Sequence, residues 1–156
     1  NSPALYADDT KRVQEVLGTF LFYGRAINST ILSTISTIAT QQVKPKKKTM
    51  AAITQLLNYL ASHPNAVVQF HTSEMTLHTD SDASYLSRPK GRSRAAGYFY
   101  LSDKPLYPNK PPEPEAKLPK QNGPISICPN ILCKVLSSTA EMEHAALFHN
   151  GKEACP

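Results

Sequence analysis

No uninterrupted apolar stretch in this chain approaches the length of a membrane span; the longest are short pieces such as Thr19-Phe20-Leu21-Phe22-Tyr23. A spanning segment is therefore excluded on length, and a soluble protein without a membrane partner is expected. An apolar leader with a basic flank is also lacking, and the 3 cysteines, Cys128, Cys133 and Cys155, cannot all pair with one another. Neither secretion nor a disulfide framework is indicated, so the thiols are expected to be reduced and the protein intracellular. No Gly-x-Ser-x-Gly turn or ordered triad is spelled, which leaves serine or cysteine nucleophile chemistry without support. A glycine-rich phosphate-binding loop is missing as well. Acidic residues are in the minority: 17 Lys and Arg against 12 Asp and Glu give a net charge of +5. That balance suits a polyanionic partner, and it bears on binding rather than on fold.

With 156 residues, of which 40% are apolar, the chain can fill one modest core and carry appendages. It opens at Asn1 without a methionine and stops at Cys155-Pro156 just after a helical pattern, which reads as a fragment at both ends. The first third has helical period. Val13, Val16, Leu17, Phe20 and Leu21 form one stripe, with Asp8 or Asp9 as cap and Gly24-Arg25 near the end. Ile31, Ile35 and Ile38 repeat at helical spacing after Asn28-Ser29-Thr30. Beyond the basic linker Val43-Lys44-Pro45-Lys46-Lys47-Lys48, Thr49 is the expected cap of a third helix. It carries Met50, Ile53, Leu57 and Leu60 inward and ends at His63-Pro64-Asn65.

From Ala66 the period changes to two. Val67-Val68-Gln69-Phe70-His71 and Met75 to Asp82 read as a β-hairpin around Thr72-Ser73-Glu74. In its second strand His78, Asp80 and Asp82 share a face opposite Met75 and Leu77. Further strands are expected over Arg94 to Leu101 and from Ile125 toward Cys133, followed by a helix opened by Ser138-x-x-Glu141. The stretch 103–124 is dense in proline and charge and is expected to be a mobile extended loop. Its Pro111-Pro112-Glu113-Pro114 has the composition of a ligand for a proline-reading module, although a plain loop is the commoner use of such a segment.

The chemistry-bearing candidates are carboxylates and cations. Asp82 ends or interrupts a strand, and Glu141 lies in the first turn of a helix, a placement from which two-metal sites draw oxygen ligands. Each has a plainer role open to it: Asp82 as a residue bonding its own turn, and Glu141 as the return partner of a Ser138 capping box. Asp80 shares the face of Asp82 and competes for the ligand role; the Asp-Ala-Ser spelling favours Asp82. Arg88, Lys90, Arg92 and Arg94 crowd the turn beside them and can track phosphates, with a solvated basic turn as the alternative. Tyr98 and Tyr100 read as strand packing, and Lys44, Lys46, Lys47 and Lys48 as linker.

Ser81-Asp82-Ala83-Ser84, Arg92-Ser93-Arg94-Ala95-Ala96-Gly97-Tyr98 and Leu136-Ser137-Ser138-Thr139-Ala140-Glu141-Met142-Glu143, in that order, resemble the ribonuclease H domain of retrotransposon polyproteins, especially copia-type elements. Val13-Gln14-Glu15-Val16-Leu17-Gly18-Thr19-Phe20-Leu21-Phe22-Tyr23 and Leu56-Leu57-Asn58-Tyr59-Leu60 look like the connecting segment that follows the polymerase in them. The resemblance implies a mixed α/β chain, with a helical connecting segment over 1–64 and a truncated ribonuclease H-like domain over 65–156, built from antiparallel strands and one packed helix. It also implies hydrolysis of the RNA strand of RNA–DNA hybrids by Mg2+ or Mn2+, with Asp82 and Glu141 as catalytic and metal-binding residues. The remainder of the polyprotein would be a partner. The family's third aspartate belongs to a strand after this helix and its fourth carboxylate lies beyond, so weak or absent turnover is expected of this chain. A noncatalytic nucleic-acid-binding remnant is the alternative. Tyr6-Ala7-Asp8-Asp9 has the spelling of a polymerase motif but heads a helix, where capping is the expected role.

Cys128-x4-Cys133 followed by His144-x4-His149 approximates a zinc pattern and raises a third class, a small zinc-binding interaction module. The fit is poor. Pro129 interrupts the first pair, and five helical steps rotate His149 roughly 140° from His144.

Overall fold

Val13 and Leu17 are buried on one side of α1 (Ala7–Ala26), with Val16, Phe20 and Tyr23 partly buried beside them. Each step of four residues advances the stripe by about 40°, and Leu21 reaches its exposed rim. This computed structural model describes residues 3–104, 120–132 and 134–155. Tyr6 occupies the N-cap position of α1, and Asp8 and Asp9, expected to cap it, lie in the first turn. There their charge meets the positive end of the helix dipole, which stabilises the turn without a capping bond. Asn28 opens the next element: its Oδ1 accepts hydrogen bonds from the Thr30 N–H at 3.2 Å and the Thr30 hydroxyl at 2.5 Å. A 3-10 turn, Ser29–Ile31, then runs into α2 (Leu32–Ala39), and Ile31, Ile35 and Ile38 are all buried as their spacing predicts.

In α3 (Lys47–Ser62) Thr49 is not the cap. It is the third helical residue and 2% exposed, and its hydroxyl accepts from the Lys46 N–H and donates to Gln41 Oε1. Ile53 and Leu56 are the buried positions of α3, while Met50, Leu57 and Leu60 pack partly buried around them. The three helices thus close one core of Val13, Leu17, Ile31, Ile35, Ile38, Ile53 and Leu56. The chain divides between Val67 and Val68 into two compact units. None of the described helices is long and apolar enough to cross a membrane.

The second unit is a three-stranded antiparallel sheet, β1 (Thr76–Arg88), β2 (Arg92–Ser102) and β3 (Pro124–Leu132), in the order β1-β2-β3, followed by α4 (Thr139–Ala154). The chain is therefore a mixed α/β protein. β3 lies at a sheet edge, where Pro129 costs no central ladder bond. The hairpin expected from 67–71 and 75–82 does not form: residues 63–75 carry no strand, and β1 pairs with β2 instead. Side chains have replaced the ladder. Asn122 Oδ1 accepts from the His71 N–H at 2.7 Å, and Asn122 Nδ2 donates to the His71 carbonyl at 2.8 Å. Met75 adds a left-handed break, φ 59°, just before β1 begins. The loop expected over 103–124 lies largely outside the described residues.

α4 lies against β1 and β2 through Met142 and Ala146, both fully buried against Ala95, with Ala83, Tyr85, Leu132 and Leu136 around them. Further along α4, Asn150 is fully buried and donates to Ser81 Oγ at 2.8 Å and to the Ala96 carbonyl at 2.9 Å. Gly97 makes room for it, because a Cβ there would lie 2.5 Å from Asn150 Oδ1 and 2.8 Å from Phe99. Gly97→Ala is accordingly expected to destabilise the second unit by about 1–3 kcal/mol, as overpacking does. Gly18→Ala, on an open face of α1 with nothing within 4 Å, should stabilise its helix by about 1 kcal/mol. Urea unfolding of each variant, followed by hydrogen exchange resolved by unit, measures both.

Candidate functional site

Alternation along β1 turns Ser81, Ala83 and Tyr85 toward α4 and leaves Asp80 and Asp82 exposed on the other face. Across the ladder Asp80 faces Tyr98 and Asp82 faces Ala96. The two aspartates differ in their surroundings. Asp80 Oδ2 accepts a hydrogen bond from Gln121 Nε2 at 3.1 Å, whereas Asp82 has no hydrogen-bond or ion-pair partner among the described residues. Beside Asp80 the same face carries an aromatic row. His78 stacks on Tyr100 with centroids 5.3 Å apart, and Tyr100 meets Tyr98 at 5.5 Å. Burial, and secondly the Asp80 charge, pushes the phenols of Tyr98 and Tyr100 up from their ordinary values. Tyr100 is only 6% exposed, and the Tyr98 hydroxyl donates to the Asn122 carbonyl, so both rings act as packing.

Glu141 is exposed in the first turn of α4. Ser138 Oγ accepts the Glu141 N–H at 3.1 Å, the outbound half of a capping box. The return half goes one residue further out: Glu141 Oε2 accepts from the Ser137 N–H at 2.7 Å and the Ser137 hydroxyl at 2.6 Å. These bonds, hydroxyl first, hold the Glu141 carboxyl below its usual range. α4 covers the face opposite to Asp82, so Asp82 and Glu141 arise on different sides of the sheet plane. The pleat therefore brings Asp82 near Asp80 rather than toward the helix.

The basic turn closes β1 on β2. Pro89–Gly91 forms a tight turn with left-handed backbone at Lys90, φ 65°, and Gly91, φ 66°. A register shift between Ser84 and Arg88, with Leu86 at φ 48°, precedes it, and Ser93 Oγ accepts the Leu86 N–H displaced from the ladder. Lys90 is exposed, and Arg88 and Arg92 are half-buried. Arg94, expected to contact nucleic acid, is 8% exposed, so it is not a surface cation. Burial, and then repulsion from Arg88, lowers its pKa. Among the described residues none accepts a hydrogen bond from the buried Nε of Arg88.

For the zinc pattern, Cys133 lies outside the described residues. Cys128 sits on β3 beside Ser126, His144 Nδ1 bonds the Ala140 carbonyl, and His149 pairs with Asn130. Among the described residues no group of three or more His, Cys, Asp or Glu side chains is placed to hold a metal ion. Sequence patterns passed over Ser137, Asn122 and Asn150. An asparagine before glycine reads as a turn or a helix end, and no period marks it as a hub. Comparison with family models, curated proteins and solved structures finds no match to the chain.

The Glu141 arrangement makes a signed pH prediction. Its folded pKa lies below the unfolded value, so its contribution to α4 is present above the unfolded carboxylate range and is lost as pH falls through the folded pKa. In a carboxyl-carbon NMR titration Ser137→Ala should move the Glu141 midpoint upward toward the ordinary glutamate value. An unchanged midpoint would assign the shift to another cause.

Proposed function

We propose that the second unit is a ribonuclease H-like module of the retroelement kind that holds nucleic acid through its basic turn, and that the first unit is its connecting segment. Three consecutive antiparallel strands followed by a helix on one face, with Asp82 within β1 and Glu141 in the first turn of α4, support this reading. It is the element order that the resemblance of the motifs implies.

The side of the sheet on which Asp82 lies favours binding over turnover. Two-metal hydrolysis requires carboxylates that converge on one pair of cations. Asp82 faces away from α4, and the Glu141 carboxylate is occupied by Ser137. This pair as arranged does not fit Mg2+ or Mn2+. The cations fit a phosphate backbone better: Lys90 and Arg92 make no ion pair among the described residues and stand at the turn between β1 and β2. Such contacts bind by charge and counterion release, without reading base sequence.

Titrating a labelled RNA–DNA hybrid against salt and Mg2+ tests this directly. Binding should weaken with salt, and Lys90→Gln together with Arg92→Gln should lower the log–log salt slope by about 1 per cation removed. Asp82→Asn and Glu141→Gln should leave binding unchanged, with no metal-dependent cut in any form. Mg2+-dependent cleavage by the wild type that both variants lose would overturn the binding reading in favour of a nuclease, and absence of salt-sensitive binding would overturn the module itself.

A further inference from the structure

The sequence contains Asn122-Gly123 and Asn150-Gly151, and the structure gives these identical dipeptides opposite surroundings. Asparagine followed by glycine is open to intramolecular attack, because the glycine backbone nitrogen meets no side-chain crowding. The rate then depends on how nitrogen and amide carbon are held. At Asn122 the Gly123 N–H donates to Oδ1 of the same asparagine at 2.9 Å, which keeps the nucleophile beside the carbon it would attack. The His71 N–H donates to the same Oδ1 at 2.7 Å, where negative charge would develop. Asn122 Nδ2 is held by the carbonyls of His71 and Leu101, each at 2.8 Å, which fixes the amide plane. Asn150 Nδ2 is also held, by Ser81 Oγ and the Ala96 carbonyl, but the other two features are missing among the described residues. Its Oδ1 is buried without a hydrogen-bond partner, and Gly151 lies within α4, whose ladder engages its N–H.

We propose that Asn122 is a site of succinimide formation and deamidation, and that its conversion releases the segment 68–72 from the end of β2, while Glu74 stays tied to Asp103 and Lys104. Gly123 N forms a bond to Asn122 Cγ, and the Cγ–Nδ2 bond breaks. The Gly123 proton leaves with Nδ2 as ammonia. Water then opens the imide, either at Cγ to give aspartate or at the main-chain carbonyl to give isoaspartate. In the aspartate product the two N–H donors are exchanged for a carboxylate oxygen that faces the His71 and Leu101 carbonyls, and in isoaspartate Cγ joins the main chain and both Nδ2 donors are lost. Gly123 is also packed against that segment, since a Cβ there would lie 2.7 Å from the Gln69 carbonyl oxygen. The isoaspartate, with its extra backbone methylene, cannot keep this close approach.

The experiment is peptide mapping of the full chain aged at mildly alkaline pH, with aspartate and isoaspartate resolved, and Asn150 as internal control. Asn122 should convert about tenfold or more faster than Asn150 in the folded protein, a ratio of the size that positioning confers. In urea the ratio should collapse toward one. Equal rates in the folded protein, or an Asn122 that converts faster once unfolded, would overturn the site. Asn122→Asp, examined by hydrogen exchange, should speed exchange over 69–72 and leave α4 protected; unchanged exchange over 69–72 would overturn the release.

Discussion

The close approach of Asn150 to Gly97 holds the second unit in its arrangement. Three antiparallel strands gain stability by covering a face, and α4 covers this one only because the middle of the sheet is shallow: Ala83, Ala95 and Gly97 offer little bulk. Asn150 enters that depression and ties itself to Ser81 and to the Ala96 carbonyl. The bond to Ser81 also fixes which way β1 faces. A shift of one residue would carry Ser81 and Ala83 off the helix side and bring Asp82 onto it. The packing that secures α4 is thus what turns Asp82 away from Glu141.

The basic turn follows from the same strand pairing. β1 and β2 stay in register from Thr76 to Ser84, and the irregularity before Arg88 concentrates left-handed backbone at Leu86, Lys90 and Gly91. Ser93 captures the N–H released there. Holding a non-glycine residue at positive φ costs about 1–2 kcal/mol, and the surrounding pairing must offset it. The outcome sorts four similar cations by depth: Lys90 outermost, Arg88 and Arg92 at the rim, and Arg94 buried beside the like charge of Arg88. Only the outer ones are available to a phosphate.

Elsewhere, polar side chains do what regular structure was expected to do. Thr49 joins Gln41 to Lys46 from inside α3, and Asn122 joins His71 to Leu101 where a hairpin strand had been expected. Both residues are buried with their bonding groups engaged, which is the condition under which a buried amide or hydroxyl stabilises. Val67 to His71 has the alternation of a strand, yet it joins no ladder. Asn122 supplied backbone partners of another kind.

Helical spacing alone determined Val13, Leu17, Ile31, Ile35, Ile38 and Ile53 as buried, since a 3.6-residue period places them on one stripe whatever the rest of the chain does. The strands through Gly97 and Ile127 and the helix after Ser138 were likewise legible, because alternation and a capping serine are local signals. Local signals carry no information on which edge a strand meets, so the partner of β1 was set only in the assembled sheet. The sequence put Asp80 and Asp82 on one face; only the docking of α4 made that the face without the helix. That Arg94 is buried was likewise decided only in the folded chain, because burial depends on what packs over a residue and not on its neighbours in the chain.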